Sequence, residues 1–273
     1  MLVATPIGNL GDLPPRAVEV LGSADVVACE DTRRTGRLLA AAGVRATALL
    51  AVHDHNEASQ VRAVLARLEA GEVVAVVTDA GTPGISDPGE RLVRAAAEAG
   101  FEVRVVPGPS AAITALVASG LPTGRFVFEG FLPRKGSGRG ERLAALAAER
   151  RTILVYEAPH RLARTLADLA AALGGERRIA IARELTKLYE EVWRGTLDEG
   201  VARCESVEPR GEHVLVVEGA PPPADVDDDA IRSAVSDRLA GGATRRDAVA
   251  EVSHGLGVAK RRVYDLALGI VET

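Results

Sequence analysis

Aromatic residues are scarce: Phe, Tyr and Trp together make up 3% of 273 residues, and methionine occurs once. A core must therefore be built from Ala, Val and Leu. Two cysteines, Cys29 and Cys204, with no CxxC pair between them, exclude a disulfide framework and a thiolate zinc site. No apolar run approaches the roughly 20 residues of a membrane helix, so no membrane partner is expected. The chain opens on Met1-Leu2-Val3-Ala4-Thr5, without the basic region and cleavable apolar core of a signal peptide, and a cytoplasmic location is expected. Lysine is scarce too. Lys135, Lys187 and Lys260 stand alone in an arginine-rich sequence, a bias of genomic composition that makes each lysine conspicuous. What remains, 47% hydrophobic and 26% charged with a net charge of −5, describes a globular chain of about two domains.

The first 120 residues alternate short apolar runs with helical stretches. Strands are predicted at 2–7, 26–29, 48–52, 73–78 and 103–106, and helices at 15–21, 32–42, 57–70, 90–99 and 110–118. The strand runs are continuously apolar, as in strands covered on both faces. Pro15 suits a first helical turn, and Gly43, Gly71 and Gly100 suit helix ends. The βαβα rhythm implies a mostly parallel sheet. Beyond Gly120-Leu121-Pro122 a second α/β unit is predicted, with strands at 125–129, 152–156, 178–183, 191–194 and 213–218 and helices at 141–150 and 161–173. Pro221-Pro222-Pro223 is a stiff spacer, and a helical pattern follows it. The expected divisions are 1–121, 122–222 and 223–273.

Three loops that follow predicted strands are rich in Gly, Pro and small polar residues: 5–12 (TPIGNLGD), 79–89 (DAGTPGISDPG) and 107–112 (PGPSAA). In an open parallel sheet, ligands bind beyond the carboxyl ends of the strands. Glycine lets a backbone approach a ligand closely, and proline fixes the loop beforehand. GxGxxG is absent after the first strand, which argues against a nicotinamide dehydrogenase. The run Gly130 to Ser137 inverts the Gly-Lys order of a P-loop. A nucleoside ligand without a phosphate cradle fits these loops better.

TPIGNLGD, DAGTPGISDPG and VPGPSA together resemble the tetrapyrrole-methylase superfamily of S-adenosylmethionine-dependent methyltransferases. Within it, Glu30-Asp31-Thr32-Arg33, His53 to Glu57, Tyr156 to Arg161 and Arg183-Glu184-Leu185-Thr186-Lys187 are similar to the branch that methylates a cytidine 2′-hydroxyl of bacterial 16S ribosomal RNA. The resemblance covers nearly the whole chain. It implies two α/β domains flanking a cofactor cleft, the first sheet mostly parallel and the second mixed, with a small C-terminal helical domain. It also implies a homodimer acting on 16S rRNA in the 30S ribosomal subunit. By matching positions, Pro6, Ala80, Gly81, Thr82, Ile85, Ser110 and Ala111 would bind S-adenosylmethionine, with Tyr156 and Leu185 from the second domain. A relative methylating a tetrapyrrole or a protein residue, and a non-catalytic assembly factor, are the alternatives.

A sulfonium carries its own activation, so the protein must supply alignment and ease the loss of a ribose proton. Candidates are Glu30, Asp31, His53, Glu157, His160, Glu184 and Lys187, with Glu157 and Lys187 favoured as catalytic. Glu30 and Asp31 equally suit a helix N-terminus at Thr32, and His160 a capping or phosphate role. His53-Asp54-His55 is an incomplete metal set, and no metal is expected. The proton acceptor stays open. For RNA, Arg134, Lys135 and Arg139 sit in a glycine-rich stretch that reads as a mobile basic loop. Thr244 to Asp247 and Lys260-Arg261-Arg262 open two short helices that resemble a helix-turn-helix, and these three basic residues are the expected contacts of the tail.

Overall fold

The structure is a computed structural model that describes residues 1–53, 55–222 and 226–270. Asp54 of the His53-Asp54-His55 set and Pro223 of the proline spacer lie outside the described residues.

In chain order the first half comprises β1 (Leu2–Val3), α1 (Pro15–Ser23), β2 (Val26–Cys29), α2 (Thr32–Ala41), β3 (Leu49–Ala51), α3 (Glu57–Glu69), β4 (Val74–Val76), α4 (Glu90–Glu98), β5 (Val105–Val106) and α5 (Ala111–Ser119). Its five strands form one parallel sheet in the order β3-β2-β4-β1-β5. Side chains of β2 alternate between two cores. Val27 and Cys29 join Ala17, Leu21 and Leu39 on one face, while Ala28 joins Val64 and Leu92 on the other. That two-sided burial is why the strands read as unbroken apolar runs. The strands are shorter than the sequence predicts. Residues 4–7 leave β1 and become loop, tied by Thr5 N–H to Gly81 C=O (2.9 Å) and Gly81 N–H to Thr5 C=O (3.1 Å).

The second half comprises β6 (Phe126–Phe131), α6 (Ser137–Ala147), β7 (Thr152–Glu157), α7 (Pro159–Leu173), β8 (Arg178–Arg183), β9 (Glu191–Thr196), α8 (Leu197–Ser206) and β10 (His213–Val217). Its sheet runs β6-β7-β10-β8-β9. β6 and β7 are parallel and the other pairings antiparallel, so this sheet is mixed. One face packs on α7 and α8 through Leu162, Leu166, Leu169 and Leu197. The other is covered by α5, whose Ala112, Ala115 and Leu116 bury against Leu154, Ala180 and Val216. A helix from the first half thus supplies a core layer of the second, and Met1–Gly219 forms one compact unit.

Arg134 and Lys135 of the expected mobile basic loop precede α6 and are exposed, whereas its second half, residues 137–140, is instead the first turn of that helix. The cause is Arg139. Its guanidinium is buried and donates to Asp168 (2.7 Å), the Thr165 hydroxyl (3.0 Å) and Pro133 C=O (2.9 Å). It therefore fixes this turn from within the fold. The unpredicted α8 opens on a capping box, Thr196 with Glu199, and tolerates Gly200 because its neighbours Leu166, Ile181 and Trp193 close over that position.

The second compact unit, Ala220–Thr273, contains α9 (Asp228–Ala240), α10 (Arg245–Leu256) and α11 (Lys260–Ala267). They surround Ile231, Val235, Val249, Val252 and Val263. Thr244 caps α10, and Gly257 ends it with φ +63°. Arg262 donates to Asp228 (2.7 Å) and Val226 C=O (2.9 Å), clamping α11 to the start of α9. Arg262 is thereby engaged within the unit, whereas Lys260 and Arg261 are exposed. Among the described residues no helix is long and apolar enough to cross a membrane.

Candidate active site

The three glycine-proline loops meet at one edge of the parallel sheet and are stitched together. Besides the Thr5–Gly81 bridge, the Thr5 hydroxyl donates to Thr78 C=O (3.2 Å) and the Thr82 hydroxyl to Pro109 C=O (3.5 Å). Ser110 caps α5, so its side chain is fixed at the helix entrance. Opposite these loops stands the second sheet's edge at Tyr156, Glu184–Lys187 and Glu212–Val214, and the cleft between encloses about 380 Å³. That volume is in the range of small-molecule sites.

Ala80, Gly81, Thr82, Ile85, Ser110, Ala111, Tyr156 and Leu185 all line this cleft, as do Glu157 and Lys187. Pro6 does not; it is buried behind Ile7, which does. The Tyr156 hydroxyl accepts the Ala112 N–H (3.2 Å), and its ring meets Phe128 and Phe131 edge-on at 4.9 and 5.7 Å between centroids. Burial pushes its hydroxyl pKa up, against the pull of the Ala112 N–H.

Lys187 is the centre of charge. Its ammonium donates to Glu184 (2.9 Å) and Glu212 (2.7 Å). Burial works against its charge, but the two carboxylates outweigh burial and raise its pKa. Glu184 is partly buried as well, yet the Glu212 N–H and the Lys187 ammonium hold its pKa below the ordinary value. The turn is built by close approach. A Cβ on Gly8 would overlap Lys187 Cγ, and one on Gly211 would overlap Glu184 Cγ. The glycine of the first loop is thus the seat of the lysine 179 positions later. Strain concentrates here too: the non-glycine residues with positive φ are Glu184 (+48°), Thr186 (+66°) and Ser86 (+61°) among the described residues, and such outliers gather at functional sites.

The side chain of Glu157 is fully buried, and its carboxylate accepts the Ala158 N–H (2.9 Å) and the Thr165 hydroxyl (2.6 Å) and pairs with Arg161 (3.2 Å). With its oxygens so engaged it anchors the first turn of α7 while bordering the cleft. Asp31 caps α2 through the Arg33 and Arg34 N–H groups, while Glu30 lines the cleft. Asn56 accepts the His53 N–H, and Glu57, buried, accepts the N–H groups of Gly89, Arg91 and Leu92 at the start of α4. Glu57 therefore braces the end of the loop at 79–89. His53 is not part of the cleft lining. His213 is buried, its Nδ1 without a hydrogen-bond partner among the described residues, and burial together with the Arg183 charge lowers its pKa.

Sequence reasoning missed Arg34, which pairs with Asp79 at 3.2 Å, as well as Phe131 and Glu212, all of which line the cleft. Arg34 stands beside the quoted 30–33 motif, and Asp79 opens the second loop. Phe131 and Glu212 carry no local signal.

The family profile of Tetrapyrrole (Corrin/Porphyrin) Methylases matches residues 1–200. The chain is 48% identical to "Ribosomal RNA small subunit methyltransferase I" of Synechocystis sp. over 98% of this chain and 96% of that one. It is 51% identical to the protein of the same name from Escherichia coli O157:H7, over 80% and 77%. Among solved structures, uroporphyrin-III C-methyltransferase of Thermus thermophilus complexed with S-adenosyl homocysteine has the same fold. The TM-score is 0.55 at 24% identity, covering 80% of this chain and 95% of that one. By the span of the profile and by identity over nearly the full length, the chain belongs to the tetrapyrrole methylase family, in its ribosomal RNA small subunit methyltransferase I branch.

Proposed function

We propose that this chain transfers a methyl group from S-adenosylmethionine to the ribose 2′-hydroxyl of a cytidine in 16S rRNA, acting on the 30S subunit in the cytoplasm as a homodimer. The observation that carries the reading is the likeness, over 98% of the chain, to a ribosomal RNA small subunit methyltransferase I. The cleft fits the cofactor. Small residues at Ala80–Thr82 and Ser110–Ala111 leave backbone groups open to an amino-acid head and ribose hydroxyls. Ile7, Ile85 and Leu185 offer apolar cover for an adenine, and the carboxylates of Glu30, Asp79 and Asp87 suit a cationic ligand. When bound, S-adenosylmethionine supplies an activated methyl group. The protein's part is electrostatic. An ammonium has three N–H donors; Lys187 commits one each to Glu184 and Glu212, leaving the third to a substrate oxygen in the cleft. That contact stabilises negative charge growing on the ribose oxygen and so eases loss of its proton. The exposed apolar side chains Ile113 and Val117, one turn apart on α5, support a second copy packing there.

Incubation with labelled S-adenosylmethionine and undermethylated 30S subunits, followed by nuclease digestion, is expected to yield 2′-O-methylcytidine. Label on a base, or none, would overturn the reading. The C-terminal unit serves RNA binding through Lys260 and Arg261, with Lys135 of the first unit exposed for the same use. Replacing both Lys260 and Arg261 by alanine is expected to weaken 30S binding about tenfold and to flatten its salt dependence, with cofactor affinity unchanged in equilibrium dialysis.

A further inference from the structure

A second cavity, of about 330 Å³, is lined by Arg134, Arg139, His160, Arg161, Arg164 and Thr165. Two carboxylates answer its four guanidinium groups: Asp168 takes Arg139 at 2.7 Å and Arg164 at 3.7 Å, and Glu157 takes Arg161 at 3.2 Å. Arg134 has no carboxylate partner among the described residues, and its side chain and that of Arg164 are exposed. The floor is built rather than incidental. Arg139 is 5% exposed, and Arg161 is held further by its bond to Leu132 C=O (2.6 Å). The Thr165 hydroxyl donates to Glu157 and accepts from Arg139, locking both arginines to one network. Guanidinium groups fixed in partly desolvated surroundings, with charge in excess of their partners, focus a positive potential and match the planar, bidentate geometry of a phosphate.

Its position relative to the cleft gives it meaning. Pro159 borders the cleft and His160, the next residue, borders the cavity, and Glu157 of the cleft lining holds Arg161 of the cavity lining, so the two sites adjoin at the start of α7. We propose that this cavity receives a phosphodiester of the substrate RNA beside the ribose presented in the cleft, with Arg139 and Arg161 as its fixed floor and Arg134, His160 and Arg164 closing on the phosphate from the rim. The assignment rests on the ribosomal RNA reading and deepens it. It gives Glu157 a purpose: the carboxylate that borders the cleft holds the arginine that borders the phosphate.

The test is the double variant R134A/R164A, which removes only exposed side chains, so its melting temperature should match the wild type. Direct binding to undermethylated 30S subunits is measured across a salt series, with cofactor affinity measured separately. At about tenfold per arginine, affinity for subunits is expected to fall about 100-fold. The slope of log K against log salt is expected to shrink by about 2, and cofactor affinity to stay the same. Unchanged subunit affinity and slope, while the wild type still methylates ribose, would overturn the cavity assignment and leave the ribosomal RNA reading standing. A wild type that neither binds nor methylates subunits would overturn both. If inorganic phosphate stabilises the wild type but not the variant, and the variant binds subunits normally, the cavity serves a free phosphate and the RNA assignment falls.

Discussion

Replacement of Lys187 by methionine is expected to lower kcat for methyl transfer about 10²- to 10³-fold, the loss typical of a donor that stabilises charge developing in the transition state. Affinity for S-adenosylmethionine should stay close to that of the wild type, because the cofactor is expected on the small residues Ala80–Thr82 and Ser110–Ala111 of the loops at 79–89 and 107–112, which line the cleft. The same deficit should appear without touching the lysine. Alanine at Gly8 places a Cβ in steric overlap with Lys187 Cγ, so Gly8→Ala is expected to displace the lysine side chain and disturb its hold on Glu184 and Glu212. Single-turnover assays at saturating cofactor distinguish this from a binding defect. The pH dependence follows from the two shifts. The raised Lys187 pKa means its ion pairs stabilise the fold fully below the ordinary lysine value and lose that contribution only as pH climbs through the raised one. The depressed Glu184 pKa means its contribution is whole above the ordinary carboxylate value and is lost as pH falls through the depressed one. Between roughly pH 6 and 9 neither group titrates. A step in log kcat in that interval that disappears in Lys187→Met would show a neutral lysine acting as the base and would refute the electrostatic role.

Much of this site is legible in the sequence because its parts are backbone parts. A loop that must pass close to a ligand or to another loop needs glycine and proline at fixed places, and those residues announce themselves at 5–12, 79–89 and 107–112. The parallel sheet follows likewise from the apolar runs, whereas the mixed pairing of the second is implied only by the family resemblance. What the sequence hides is the direction of side chains and the partners that arrive from afar. Glu157 looks like a catalytic acid because it ends a strand at the cleft, yet α7 starts two residues later, and its Arg161 and Thr165, one turn apart, engage the carboxylate. Arg139 sits among glycines that suggest mobility, and only the distant Asp168 and Thr165 turn the stretch into a helix. Arg262 is one of three consecutive basic residues, but the register of α11 sends it to Asp228 and leaves Lys260 and Arg261 outside. Glu57 belongs to a motif that invites a metal or catalytic reading, whereas its three N–H partners lie on a helix 32 to 35 residues away. Even so, the T-x-x-E of α8, at Thr196–Glu199, was a local signal open to reading.

Glu157 gives the second large effect, and it separates two roles by the observable that moves. Glu157→Ala leaves the partly buried Arg161 guanidinium without its fully buried carboxylate and strips acceptors from the Ala158 N–H and the Thr165 hydroxyl. Breaking one side of a buried pair costs about 3–5 kcal/mol. In a unit of this size that lowers the melting temperature by about 10 °C or more, readable by calorimetry. Glu157→Gln keeps an acceptor and most of the shape, so its loss of stability should be smaller, about 1–2 kcal/mol. A glutamine cannot take a proton. If Glu157 were the base, Glu157→Gln would therefore lose about 10²–10⁴ in kcat with 30S affinity untouched. The buried network requires the opposite split. With Arg161 no longer held by a charge, the positive cavity beside α7 loosens. KM for 30S subunits should then rise several-fold while kcat at saturation falls by less than about threefold. A kcat loss of two orders of magnitude in Glu157→Gln, with unchanged KM, would restore the carboxylate to the chemistry and remove it from the scaffold.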